Sequence, residues 1–456
     1  MRRHFNERRF LSACTTQLAL EFIFSANLTL HIVSWGLVCL FFTLHSPRRE
    51  LLPLYASLSL RLVRPFLLLS LTVISYWSPR HWAFDSIALV LMALAWVSSF
   101  LFPWPDFSQL HGPYQTIGCR SVRLGGVECR VFYPSLDDDH PETAKIKRTF
   151  VSYLHHGHHL MTGLGVFVNL PSWLFHNMKN ARLAALHEAP VASSDGWPIV
   201  IFSHGLAGSL ELYSYVNQEL ASHGYVMVVP NHCDGSACVC SPEPGHIEYY
   251  QQVTPEVRDN IDGAGFRFRN RQLQQRVREV RSVLDAIITQ EATANSVFKQ
   301  CNLDNVSVAG HSFGAATALT VAHQDVRFKK MVLLDAWMEP LDDDVRDGLG
   351  SRVPVLHMLS EHFLHWRPNT ESVDRHVRGC THTQSRLTWL RGTRHNNFSD
   401  VPVFSPTINR LMKSAGKIDH FRALQAIGQL SAAFLTGDFD ARAPKFPELA
   451  AVTNTE

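Results

Sequence analysis

The chain is short of charge. Asp, Glu, Lys and Arg make up 18% of its 456 residues, against ~25% in ordinary soluble domains. Hydrophobic residues reach 46%, and the shortage of charge is concentrated in the first hundred positions. Net charge is only +2, with no basic arm or face of the kind that neutralises phosphates, which argues against a nucleic-acid partner. Nine cysteines run from Cys14 to Cys380 without the paired C-x-x-C spacing of zinc sites. The densest histidine run, His155-His-Gly-His-His159, has no cysteine or carboxylate at ligand spacing beside it, so it reads as surface or interfacial histidines. No metal and no cofactor are expected.

Long apolar runs, by contrast, are present. Leu18–Phe42, Leu58–Trp77 and Phe84–Trp104 follow an N-terminus that carries Arg2, Arg3, Arg8 and Arg9. A helix needs about 20 apolar residues to cross the ~30 Å hydrocarbon core, so the first and third are long enough. The second opens on Arg61, Arg64 and Pro65 and is the weaker span. The first run exceeds a signal-peptide core of about 7–15 residues and lacks a small-x-small exit. These features lead to the expectation of a multi-pass membrane protein with two to three helices in an anchoring region over 1–105. The flanking arginines leave its orientation close to a tie.

From Phe107 the pattern becomes that of a soluble α/β domain, expected over 106–440 and followed by a polar tail at 441–456. Cys129–Pro134 reads as an early strand, and 150–190 as irregular cover with short helices. Trp197–Ser203 and Tyr225–Pro230 are short apolar runs flanking a helix at Tyr213–His223, which is β-α-β grammar. In Arg269–Ile288, Leu273, Val277, Val280, Leu284 and Ile287 fall at helical spacing, with arginines and glutamines on the other face. Further strands are expected at 306–309, Met331–Asp335, Val353–Leu359 and Leu387–Leu390, and a last helix near Ala423–Leu435. The implied fold is a mostly parallel central sheet with helices, of α/β-hydrolase type.

The chemistry gathers at Gly310-His-Ser312-Phe-Gly314, between an apolar run and the Ala-rich start of a helix. Gly-x-Ser-x-Gly in that setting suits a nucleophile elbow, where only glycine lets strand and helix backbones approach closely enough. A serine hydroxyl needs a base and a group to orient that base, here in the order Ser, acid, His. Asp335 ends the next apolar strand and is preferred to Asp342-Asp-Asp344, which reads as a solvated turn. His395 lies beyond the last strands, but order alone leaves it one candidate among 25 histidines. An oxyanion requires two backbone N–H donors. Phe313 supplies one as the residue after the nucleophile, and Leu206, in Ser203-His-Gly-Leu206, supplies the other. Asn305-Val-Ser307 and Asn397-Phe-Ser399 match the glycosylation pattern, but one starts a strand and the other adjoins His395, so neither is expected to carry a glycan.

Several segments together resemble the plasma-type platelet-activating factor acetylhydrolases. They are Gly310–Gly314, Leu334-Asp-Ala-Trp-Met338 with Pro340-Leu341, Arg391-Gly-Thr-Arg-His395-Asn-Asn-Phe398, Phe202–Leu206, Leu220–Gly224, His232–Ala237 and Gly112–Cys119. The resemblance covers about 110–437. It implies Ser312 as nucleophile, Asp335 as orienting acid, His395 as base and the Leu206 and Phe313 amides as oxyanion hole. It further implies metal-free hydrolysis of the sn-2 acetyl, short-chain or oxidised acyl ester of a phospholipid. Ala315 stands where the family usually has Gly, and Arg394 and Asn396 depart from its histidine loop. The alternatives are a broader carboxylesterase with the same triad, or a catalytically inert membrane scaffold.

Overall fold

A computed structural model describes residues 101–103, 105–136, 150–179, 181–289, 297–349, 351–380 and 382–451. Backbone contacts divide the chain into two units, one of residues 1–106, 174–181 and 404–408, the other of 107–173, 182–403 and 409–456.

The multi-pass membrane placement is corrected here. Among the described residues no helix is long and apolar enough to cross a membrane, which overturns the expected multi-pass localisation and leaves the integral-membrane partner unsupported. The longest described helix, Ala264–Ile288, is long enough but carries arginines along its length, which a hydrocarbon core would not accept. The apolar runs 18–42, 58–77 and, except for 101–103, 84–104 lie outside the described residues.

The second unit is built on strands β1 (Ile117–Leu124), β2 (Val127–Pro134), β3 (Phe150–Ser152), β4 (Arg182–His187), β5 (Trp197–Ser203) and β6 (Val226–Pro230). After a small β7 (Val239–Cys240) and β8 (Glu248–Tyr249) pair come β9 (Cys301–His311), β10 (Phe328–Leu334), β11 (Val355–Ser360), β12 (Arg386–Leu390) and β13 (Leu449–Ala451). The main sheet has eleven strands in the order β13-β12-β11-β10-β9-β5-β6-β2-β1-β4-β3. From β6 through β5, β9, β10 and β11 to β12 every pairing is parallel. Six strand ends therefore face one edge, the usual place for a site in an open α/β sheet.

Both faces of these strands are covered, which explains their unbroken apolar runs. Ile199, Ile201, Val306 and Val308 pack with Leu273, Val277 and Val280 of the helix at Ala264–Ile288 and with Ala315 and Leu319 of the helix at Phe313–Gln324. The intervening Val200 and Phe202 are equally buried and point to the opposite face. On that side the helix at Ser214–Ser222, buried at every residue, packs against the helix at His420–Thr436.

The sheet extends further than the sequence suggested. β1 pairs antiparallel with β2 and parallel with β4, and the stretch 150–190 contains β3, β4 and a regular helix at His158–Val168. Within the polar C-terminal stretch, β13 pairs antiparallel with β12. The 264–288 helix also departs from its expected pattern. Arg269, Gln272 and Arg276, placed by periodicity on the polar face, are buried.

Candidate active site

β9 ends at His311, and Ser312 takes φ 57°, ψ −117° before a helix begins at Phe313. A non-glycine residue avoids that region unless its surroundings impose it. Here the Ser312 N–H donates to Leu334 O (2.8 Å) and the Ser312 carbonyl accepts from Trp337 N–H (3.2 Å). A Cβ on Gly310 would lie 2.2 Å from Gly314 O, and one on Gly314 would lie 2.0 Å from Ser203 O. The two glycines are thus a steric requirement of the turn. The amide of Phe313, first in its helix, has no carbonyl within the helix to bond.

Asp335 follows β10 with φ 44°, its N–H donating to Met358 O (2.9 Å). Its carboxylate is fully buried. It accepts from the Ser360 N–H, from the Ser360 hydroxyl (2.6 Å) and from His395 Nδ1 (3.0 Å). With Nδ1–H committed to Asp335, Nε2 is left to act as a base. The His395 ring lies between Phe363, stacked at 4.3 Å and 9°, and His311 at 4.4 Å. Burial holds His311 well below the usual imidazole range, and neighbouring His395 adds to this. The imidazole preceding Ser312 is therefore a neutral wall beside the His395 ring. Its Nδ1 shares a hydrogen bond with the Tyr213 hydroxyl (2.9 Å).

The His395 loop is fixed by Asn397, to which the sequence assigned no role beyond its place in the resembling segment and a glycosylation match. Asn397 Oδ1 accepts from Arg394 N–H (2.8 Å) and Gly416 N–H (2.7 Å), and its Nδ2–H donates to His420 Nδ1 (2.8 Å). Asn397 is buried, which leaves no room for a glycan.

β5 leads into His204-Gly-Leu-Ala-Gly208. Gly205 N–H donates to the Tyr213 hydroxyl (3.0 Å), and Gly205 O accepts from Gly208 N–H (3.0 Å) and His204 Nδ1 (2.9 Å). Ala207, at φ 52°, donates its N–H to Ser236 O (2.7 Å). This strained turn holds the Leu206 amide.

A second Ser–His–acid set lies beneath the loop. Ser203 Oγ is 2.8 Å from His232 Nε2, and His232 Nδ1 is 2.7 Å from Glu279 Oε2. Ser203 and His232 have no exposed surface. Burial, with Arg276 adding to it, holds His232 well below the usual imidazole range.

Among the described residues, two side-chain groups stand close enough to share a cation: His311, Asp335 and His395, which include the Asp–His pair already described, and Glu128, His155 and His156. In the second group His155 Nε2 and His156 Nε2 meet the two oxygens of Glu128 at 2.9 and 2.8 Å, and His156 Nδ1 meets Glu211 at 3.2 Å. Burial would lower the His156 pKa, but the hydrogen bonds to Glu128 and Glu211 outweigh it and push it up to about 10. The histidine run is therefore tied into the fold: His155 and His156 pair with carboxylates, and His159 Nδ1 meets the Tyr249 hydroxyl (2.7 Å). Asp342, from the rejected acidic run, accepts from Asn270 and Gln274 next to a short helix at Asp343–Arg346.

A mostly parallel sheet, with a serine strained at the turn after β9 and an Asp–His pair on the loops after β10 and β12, defines an α/β-hydrolase-like protein. The fold is shared with ferulic acid esterase from Streptomyces cinnamoneus, with TM-score 0.57 and 20% identity over 74% of this chain and 96% of that one. The family model for platelet-activating factor acetylhydrolase, isoform II, matches residues 103–445, and the chain belongs to that family. Platelet-activating factor acetylhydrolase of Bos taurus is 29% identical over 407 residues, 82% of this chain and 85% of the relative. The Canis lupus familiaris enzyme of the same name is 27% identical over 362 residues, 71% and 75% respectively.

Proposed function

We propose that this chain is a serine esterase that hydrolyses the sn-2 acetyl, short-chain or oxidised acyl ester of platelet-activating-factor-like phospholipids, releasing lysophospholipid and free acid. The observation that carries the reading is the buried Asp335 carboxylate bonded to His395 Nδ1, on strand ends adjoining the strained Ser312, in a chain of the acetylhydrolase family.

Ser312 Oγ attacks the ester carbonyl as His395 Nε2 takes its proton. Asp335 holds the ring in the Nδ1–H tautomer and stabilises the imidazolium. The Leu206 and Phe313 amides receive the oxyanion. Collapse transfers the Nε2 proton to the departing glycerol oxygen, leaving an acyl-Ser312 ester. Water, deprotonated by the same imidazole, then releases the acid and restores the serine. Each step uses groups of the chain itself, and chelation is expected to leave turnover unchanged.

The test is turnover across phosphatidylcholines of increasing sn-2 chain length, alongside simple soluble esters and with EDTA present in a parallel series. Steep preference for acetyl and short or oxidised chains on a phospholipid is expected. Equal turnover of unrelated carboxylic esters would replace this reading with a broad carboxylesterase. Absence of fluorophosphonate labelling in the folded protein would overturn enzymatic function altogether.

A further inference from the structure

The loop carrying the Leu206 amide is gripped from below by a side chain that the reaction scheme does not use. Arg276, on the 264–288 helix, is completely buried, yet its guanidinium is surrounded by acceptors. Nε donates to Asp234 Oδ2 (3.0 Å) and Ser236 Oγ (3.1 Å), Nη1 to His204 O (2.5 Å), and Nη2 to Ser236 Oγ (2.5 Å) and Gly205 O (3.5 Å). Asp234 in turn accepts from the Ser236 hydroxyl (2.6 Å). The guanidinium also lies over the Phe313 ring, 4.5 Å from Cζ to the ring centroid. A buried guanidinium is costly unless its charge and donors are matched. Here the matching acceptors include two successive carbonyls of the oxyanion loop.

The geometry has a direct consequence for the amides. In a planar trans peptide the C=O and N–H point in opposite directions. The carbonyl of Gly205 shares its peptide unit with the N–H of Leu206, so drawing Gly205 O towards Arg276, Gly208 N–H and His204 Nδ1 turns the Leu206 N–H the other way. Donors converging on that carbonyl also polarise the unit and strengthen its N–H as a donor. The same cation holds the side chain of Phe313, whose backbone N–H is the partner donor. Ser236 completes the clamp, its hydroxyl bonded to Arg276 and its carbonyl to the Ala207 N–H (2.7 Å), at the strained φ of that residue.

We propose that Arg276, tethered by Asp234 and Ser236, is a positioning residue that sets the direction of both oxyanion-hole amides. The proposal rests on the reading of Ser312 as nucleophile with Leu206 and Phe313 as donors. It touches no substrate atom and acts only through the two backbone N–H groups.

The test uses the full chain, a soluble short-chain phospholipid, and a trifluoromethyl ketone lipid, which adds to Ser312 as a tetrahedral oxyanion. Arg276→Lys is expected to lower kcat about 10²-fold with KM changed less than about threefold, as for loss of an oxyanion donor. Asp234→Asn and Ser236→Ala are expected to give smaller losses of about tenfold. Across the set, log Ki for the ketone should follow log(KM/kcat) with a slope near one, because both report stabilisation of the same oxyanion. A purely structural role would lower the folded fraction without that correlation. Turnover and ketone affinity of folded Arg276→Lys within about twofold of wild type, or a kcat loss that the ketone does not follow, overturns the proposal. If Arg276→Lys does not fold, Ser236→Ala, which keeps the cation, decides by the same two readouts. Failure of the underlying nucleophile assignment is recognised separately, by Ser312→Ala retaining turnover.

Discussion

Two Ser–His–acid sets lie on neighbouring strands, and the one with the tighter hydrogen bonds is not the one we assign to catalysis. Ser203, His232 and Glu279 are joined at 2.8 and 2.7 Å, whereas the Asp335–His395 bond is 3.0 Å. The first set, however, offers no surface at its serine or histidine, while the His395 side chain is 30% exposed. Ser203 is the last residue of a regular strand; Ser312 stands at φ 57° ahead of a helix N-terminus. A relay becomes a nucleophile only where an ester can reach the hydroxyl and donors await the oxyanion. The buried set instead satisfies polar groups under the oxyanion loop, with the His232 N–H donating to His204 Nε2 (3.2 Å).

Exchanging the two serines is the most direct way to break this contrast. Ser312→Ala should cut turnover by about a ten-thousandfold to a millionfold and abolish fluorophosphonate labelling. Ser203→Ala should keep the label, with turnover within about tenfold, since the loss falls on packing under the loop. Loss of label in Ser203→Ala alone would invert the assignment.

Replacing the histidines should separate stability from catalysis. His232→Ala leaves the Ser203 hydroxyl and the Glu279 carboxylate without their partner, and should lower unfolding free energy by about 2–4 kcal/mol. His395→Ala, at a partly exposed ring, should cost less than about 1.5 kcal/mol while removing activity. Urea denaturation of both variants checks this, and equal stability losses would erase the distinction.

A further effect concerns a third histidine that serves neither set. His156 gains its carboxylate partners on folding, and its pKa rises from 6.5 to about 10. A raised folded pKa stabilises fully below the unfolded value and less as pH climbs towards the folded one. The wild-type advantage over His156→Gln should therefore be largest at and below pH 6.5 and fade as pH approaches 10, with an amplitude of about 1–3 kcal/mol. Denaturation midpoints measured across that range would show it, and a difference that grows with pH would contradict the charged pairing.

Much of the parallel sheet could be read from the chain because most of its strands are buried on both faces over their C-terminal halves and announce themselves as apolar runs ending in a polar turn. The elbow was legible through its short motif, but only Gly310 is demanded by a contact a few residues away, with Gly314; the contact that demands Gly314 is with Ser203 on the neighbouring strand. Arg276 was not legible. Helical periodicity sorts residues into two faces and assigns arginines to water, and it has no knowledge that Asp234, Ser236 and two loop carbonyls will surround one of them. Asn397 was hidden behind a three-residue motif whose surface exposure is a property of the fold. β1, β3 and β4 were missed because their residues alternate or are partly exposed and lack a continuous run.

The sequence by itself determined the order of nucleophile, acid and base candidates along the chain, and the family to which the chain belongs, because these depend on residue identity and short-range spacing. Only the tertiary structure decided which serine is held in a strained turn ahead of a helix, which histidine meets Asp335, and what turns the Leu206 amide. Those depend on burial and on hydrogen bonds between residues tens to hundreds of positions apart, such as Arg276 to His204 and Asp335 to His395. Such contacts exist only once the strands have aligned their ends at one edge of the sheet.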